Sequence, residues 1–160
     1  CIFFFFSART APVHYKLKKE TLMPITKGFQ ALVDEAMEEV KTYSVADVQA
    51  RLADPAVQIV DIRDPRELER GGTVTGALHA PRGMLEFWVD PASPYFKPVF
   101  ADESREFILF CGAGWRSALA TKTLQDMGMR NVAHIDGGFA AWVKEGAPTE
   151  TLEARKAKKA

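Results

Sequence analysis

Cysteine is scarce in this chain: Cys1 and Cys111 are the only two among 160 residues. A disulfide scaffold needs an even, clustered set in a short secreted chain, so that class is excluded. The count predicts a reducing compartment, a cytoplasmic location and a free thiol at Cys111. Long apolar runs are missing as well. None approaches the roughly 18 residues needed to cross a bilayer, so no membrane partner is expected. The run Ile2–Phe6 is shorter than a secretory signal core and follows no basic residue. There is no excess of one charge, since 21 basic residues face 21 acidic ones. The balance is uneven, however. Residues 1–22 and 151–160 each carry four basic groups and one acid, which leaves 13 basic against 19 acidic in 23–150. An acidic body lacks the basic patch that nucleic acid requires, so no nucleic-acid partner is expected. No cluster has metal-ligand spacing, and neither a metal nor an organic cofactor is expected. Repeats and low-complexity segments are absent.

What is present is a globular composition, 47% apolar and 26% charged, in a length that fits one domain with a real core. Composition shifts at Met23, and Met23-Pro24-Ile25-Thr26 reads as an ordinary bacterial chain start. Residues 1–22 are therefore expected to be an extension, extraneous or disordered. Residues 23–42 should hold an N-terminal helix, 43–150 the main domain, and 151–160 a frayed, solvated basic tail.

Hydrophobic periodicity divides the main part into alternating helix and strand. Phe29, Leu32, Val33, Ala36 and Val40 fall on one helical face. Ser44 is an N-cap with Asp47 three residues on, and Val45, Val48 and Leu52 follow at helical spacing. Val57–Asp61 is a β-branched strand. Pro65 opens a brief helix that Gly71-Gly72 stops. Gly76–His79 is a weak strand, Met84–Val89 a helical turn or two, and 90–104 an irregular loop with three prolines. The Met and Phe residues of 84–100 are expected to pack as a flap over the sheet. Glu106–Phe110 is a strand whose F-I-L-F is apolar on both faces, as in a covered parallel sheet. A helix over Arg116–Met127 turns Ala120, Leu124 and Met127 inward. A strand over Val132–Ile135 and a helix from Phe139 to Val143 complete the series. Strands separated by helices predict a three-layer α/β/α sandwich around a mostly parallel sheet of four to five strands.

Chemistry concentrates where Cys111 ends the F-I-L-F strand, because ligands in open parallel sheets bind beyond the strands' carboxyl ends. The next residues are Gly112, Ala113, Gly114, Trp115, Arg116 and Ser117, and then a helix. The glycines let the backbone curl its N–H groups inward, and the helix aims its positive end at the same point. Such a cradle stabilises an anion at its centre: a thiolate, a bound oxyanion or a persulfide. An inert buried thiol is the alternative.

At these residues the chain meets a known pattern. Val57–Glu150 resembles a single rhodanese domain, a sulfurtransferase. V-D-I-R-D-P-R-E-L-E-R-G-G follows the family's Asp-x-Arg…Glu pattern through Asp61, Arg63 and Glu67. G-A-L-H-A-P at 76–81, with His79, follows its Gly-Ala-x-His/Asn element. C-G-A-G-W-R-S is its active-site loop, and I-D-G-G-F-A-A-W at 135–142 its closing motif. The segments M-P-I-T-K-G-F-Q-A-L-V-D-E-A and M-L-E-F-W-V-D-P look like those of small bacterial members. The family has no counterpart to residues 1–22. The resemblance implies that the Cys111 thiolate attacks the sulfane sulfur of a donor such as thiosulfate or a persulfide. Sulfite leaves when thiosulfate is the donor. A thiol or cyanide then takes the outer sulfur of the Cys111 persulfide.

Each other residue carries two readings. Arg116 binds an anionic donor or braces the loop through a carboxylate. Trp115 lines the pocket mouth, the favoured reading, or packs under the loop. Arg63 and Glu67 are spaced for an i,i+4 pair and read as structural. His79, His134 and Asp61 are read as structural too. Three rivals stay open: a persulfide carrier serving a protein partner, a rhodanese-like binding module without turnover, and a Cys-dependent phosphatase or arsenate reductase. The last uses five residues between Cys and Arg, whereas four separate Cys111 from Arg116.

Overall fold

The computed structural model describes residues 23–159. The expectations for residues 1–22 lie outside the described part. Five parallel strands form the central sheet: β1 (Thr42–Tyr43), β2 (Val57–Asp61), β4 (Leu78–His79), β5 (Glu106–Phe110) and β6 (Val132–Ile135), in the order β1-β6-β5-β2-β4. A small antiparallel pair, β3 (Thr73–Val74) with β7 (Thr149–Glu150), stands apart from it. Helices α1 (Phe29–Glu39), α2 (Val45–Gln49), α3 (Pro65–Gly71), α4 (Leu85–Val89), α5 (Trp115–Asp126), α6 (Gly138–Lys144) and α7 (Leu152–Lys159) complete the described chain.

β5 lies between β2 and β6, which explains its uninterrupted apolar sequence. Phe107 and Leu109 pack into one core with Leu85, Phe100, Ala120 and Leu124. Ile108 and Phe110 point the other way, into a second core with Val45, Val48, Ile135 and Trp142. The sheet is thus covered by α4 and α5 on one face and by α2 and α6 on the other. Truncating one such side chain to Ala costs about 2–5 kcal/mol.

Local signals fix the helix starts. Ser44 and Asp47 form a capping box on α2, and Asp64 and Glu67 form another on α3, with Pro65 in its first turn. Each cap contributes about 1 kcal/mol.

Several expectations need correction. Val33, Ala36 and Val40 are buried, but Phe29 and Leu32 on the same predicted face are 59% and 42% exposed. Met127 is exposed, because α5 stops at Asp126 and the chain turns away through Gly128. The tail is helical rather than frayed: Lys158 pairs with Glu150 at 3.0 Å, and Arg155 donates to the Ala77 carbonyl. In the 84–100 segment Leu85 and Phe100 pack inward, while Phe87 is exposed. The short strands β1, β3 and β7 were too brief to leave a period in the sequence.

Candidate active site

β5 delivers Cys111 to the carboxyl edge of the sheet, and α5 begins four residues later. Between them the backbone folds back over the sulfur. The Gly114 N–H donates to Cys111 Sγ at 3.1 Å and the Ser117 N–H donates at 3.4 Å. The Ser117 hydroxyl lies 3.6 Å from the same sulfur. Gly114 makes this turn at φ +103°, in the region that disfavours a side chain. Two converging N–H groups and the first turn of a 12-residue helix give the sulfur a positive environment. Cys111 itself is 1% exposed.

The loop is clamped from behind by α6. Phe139 N–H donates to the Cys111 carbonyl at 2.8 Å, and Ala140 N–H donates to the Gly112 carbonyl at 3.0 Å. This is what the Gly137-Gly138 pair does. A Cβ on Gly138 would stand 2.5 Å from the Cys111 carbonyl oxygen.

Arg116 is braced by a carboxylate. Its Nη1 and Nη2 donate to Glu67 Oε2 and Oε1 at 2.8 and 3.0 Å. The pairing raises the Arg116 pKa and, against partial burial, lowers that of Glu67. Both groups therefore stay charged at neutral pH. Their heads cover Gly112, whose Cβ, if it had one, would lie 3.1 Å from Arg116 Nη2 and 3.7 Å from Glu67 Oε1.

Arg63 and Glu67 do not form the expected i,i+4 pair. Arg63 turns inward instead and makes a two-pronged bond to Asp61, with Nε 3.0 Å from Oδ1 and Nη2 2.8 Å from Oδ2. Its second nitrogen also reaches the Gly72 carbonyl at 2.7 Å, Thr73 donates to Asp61 at 2.7 Å, and the guanidinium lies 4.0 Å from the Phe139 ring centre. Asp61 and Arg63 are 0% and 3% exposed. A buried pair is tolerated only when its remaining valences are filled, as here. His79 donates from Nε2 to the Arg63 carbonyl at 2.8 Å. Asp61, Arg63 and His79 thus form a cluster joining β2, β4 and the start of β3, separate from the thiol. Glu67 alone of the four reaches the loop.

Trp115 lies on the surface rather than beneath the loop. It is 52% exposed, and its ring centre is 5.0 Å from that of Phe29 on α1. Ala113 is exposed and Gly112 half-buried at the outer rim.

A second polar chain runs inward from the sulfur. Ser117 Oγ donates to the Gly114 carbonyl at 3.2 Å and is 3.2 Å from His134 Nδ1, while His134 Nε2 is 3.0 Å from Thr42 Oγ1. Ser117 has one proton. With it on the Gly114 carbonyl, Nδ1–H of His134 donates to Ser117 and Thr42 donates to Nε2. His134 is fully buried, and burial lowers its pKa to about 4, so it is neutral. The structural role expected of His134 says nothing of this link to the loop. Its signal was a lone polar residue in a strand buried throughout. Among the described residues, no group of three or more His, Cys, Asp or Glu side chains is placed to hold a metal ion. No helix there is long and apolar enough to cross a membrane.

A solved structure from Rhodopseudomonas palustris, a protein of unknown function described as a possible tyrosine phosphatase, is 51% identical. The match covers 81% of this chain and 98% of that one, with a TM-score of 0.78. The polysulfide-sulfur transferase homodimer of Wolinella succinogenes is 30% identical over 77% of this chain and 87% of its own, with a TM-score of 0.59. The tRNA uridine(34) hydroxylase of Mesorhizobium japonicum is 28% identical over 92% of this chain and 46% of its own length. The chain thus spans about half the length of the curated relatives it matches. The family model for the rhodanese-like domain matches residues 44–145, so both the thiol cradle and the α6 clamp lie inside it, and the chain belongs to the rhodanese-like domain family.

Proposed function

We propose that this protein is a sulfurtransferase that carries a sulfane sulfur on Cys111. One observation carries the reading: two backbone N–H groups point at the sulfur of Cys111, a buried free thiol. The Cys111 thiolate attacks the sulfane sulfur of the donor. The donor's S–S bond breaks, and its leaving group departs with the electron pair. The resulting Cys111 persulfide gives its outer sulfur to a thiol or cyanide acceptor, which restores the thiolate. Gly114 and Ser117 hold the sulfur and stabilise its negative charge, and the clamp from α6 keeps the loop in shape. The sulfur-transferring relative from Wolinella supports this reading. A persulfide carrier that serves a protein partner shares the chemistry and differs only in the acceptor.

The phosphatase description attached to the Rhodopseudomonas relative favours a second reading. The loop here argues against it. Its N–H donors close to 3.1 and 3.4 Å around one sulfur atom, and the arginine that would grip a phosphate is held by Glu67. The test is to assay sulfur transfer and aryl phosphate hydrolysis on one preparation, with Cys111→Ser as blank. Cys111-dependent sulfur transfer without phosphate hydrolysis is expected. Cys111-dependent hydrolysis without sulfur transfer overturns the proposal.

A further inference from the structure

The only cation in the Cys111–Ser117 loop is Arg116. Thiosulfate is a dianion, and a site that recruits it needs positive charge left over for it. In this structure both arms of Arg116 are already bonded to both oxygens of Glu67. The carboxylate lies beside the guanidinium over Gly112, next to the reacting residue. The pair has no net charge, and the pKa shifts of both partners keep it ionised at neutral pH. Asp136 adds an exposed acid next to Gly137, whose backbone nitrogen is packed against Gly114. The outer rim of the loop also carries the exposed Ala113 and the exposed Trp115, whose ring meets that of Phe29 on α1.

We infer that Glu67 is a specificity-determining residue: by occupying Arg116 it selects sulfane donors that carry a single negative charge on an organic group, in preference to dianionic thiosulfate. This rests on the sulfurtransferase reading above. The Glu67 carboxylate cancels the Arg116 charge, so a donor's negative charges gain little net attraction from the pair and have the N–H groups of the cradle to rely on. A donor with one charge fewer needs less of that missing attraction. Its organic group has the Trp115–Phe29 surface beside the loop to lie against. The chemical step is the same for both classes. With methanethiosulfonate, the Cys111 thiolate forms an S–S bond to the terminal sulfur, the donor's own S–S bond breaks, and methanesulfinate leaves with the electron pair. No proton, metal or oxidant enters the balance.

Methanethiosulfonate and thiosulfate make a matched pair, since a methyl group in one replaces a charged oxygen of the other. The experiment measures the single-turnover rate of Cys111 charging with each, on the full chain, followed by intact mass. Each rate is divided by the rate of the same donor with 2-mercaptoethanol, which removes intrinsic reactivity. The wild type is expected to favour the monoanion by about tenfold, equivalent to about 1.4 kcal/mol of differential charge interaction. Glu67→Gln keeps the shape and one hydrogen bond to Arg116 but frees its charge, and the preference should shrink several-fold toward thiosulfate. A normalised wild-type preference for thiosulfate overturns the inference, as does a ratio that Glu67→Gln leaves unmoved. If Glu67→Gln does not fold, the wild-type ratio alone decides. Failure of both donors to charge Cys111 overturns the sulfurtransferase reading itself, an outcome distinct from charging with the wrong preference.

Discussion

Gly138→Ala should unfold the active-site loop from behind without touching the thiol. Gly138 sits at φ +59°, and a Cβ there would meet Cys111 O at 2.5 Å and Gly112 C and O at 2.9 Å. All three are backbone atoms, so no side chain can swing aside. The helix must move off the loop, which sacrifices the bonds from Phe139 N–H and Ala140 N–H to the Cys111 and Gly112 carbonyls. Two hydrogen bonds at about 1 kcal/mol each, plus about 1–2 kcal/mol for a left-handed non-glycine residue, give about 3–4 kcal/mol. For a domain of this size that is a fall in Tm of about 10 °C. Gly83→Ala is the control, since nothing lies within 4 Å of the added carbon. Urea and thermal unfolding of both variants measure the difference. A Gly138→Ala protein within about 1 kcal/mol of wild type would refute the clamp and this reading of the glycine pair.

Three other outcomes follow from the same geometry. Because burial lowers the His134 pKa to about 4 from an ordinary 6.5, the unfolded chain binds a proton more readily than the folded one between those values. The resulting stability is fully present above about pH 6.5 and is lost, by about 3 kcal/mol, as pH falls through 4; His134→Gln should flatten that part of the urea-midpoint profile. Asp61→Asn leaves the buried Arg63 charge uncompensated and should cost about 3–5 kcal/mol by urea unfolding, whereas Asp64→Asn, which keeps a good N-cap side chain on α3, should cost far less. Ile108→Ala, inside the β5 layer, should cost about 2–5 kcal/mol, and thermal unfolding checks it.

The strands most legible in the sequence are those buried along most of their length. β2, β5 and β6 match their predicted bounds, because strands covered on both faces are rich in apolar and β-branched residues. The short strands β1, β3 and β7 are two residues each and carry no such signature. Helix α1 misled at its start, since Phe29 meets Trp115 on the surface while Val33 and Ala36 meet the core. At the site, the sequence pointed to Cys111 and its cradle because glycines and a helix start are local features. The partners of Arg116 and Arg63 were not legible. Glu67 lies 49 positions before Arg116, and the i,i+4 spacing that suggested Arg63–Glu67 lost to a buried partner two residues away. The His134–Ser117 contact also joins distant segments, 17 positions apart.

The central claim is that Cys111 carries the transferred sulfur. The most direct measurement is intact mass of the wild-type chain and of Cys111→Ser after a brief exposure to a sulfane donor, then after addition of cyanide. The account predicts a gain of one sulfur atom in the wild type, its disappearance on cyanide with release of thiocyanate, and no gain in Cys111→Ser. A wild type that gains no sulfur, or a Ser variant that gains and releases it equally, would contradict the account.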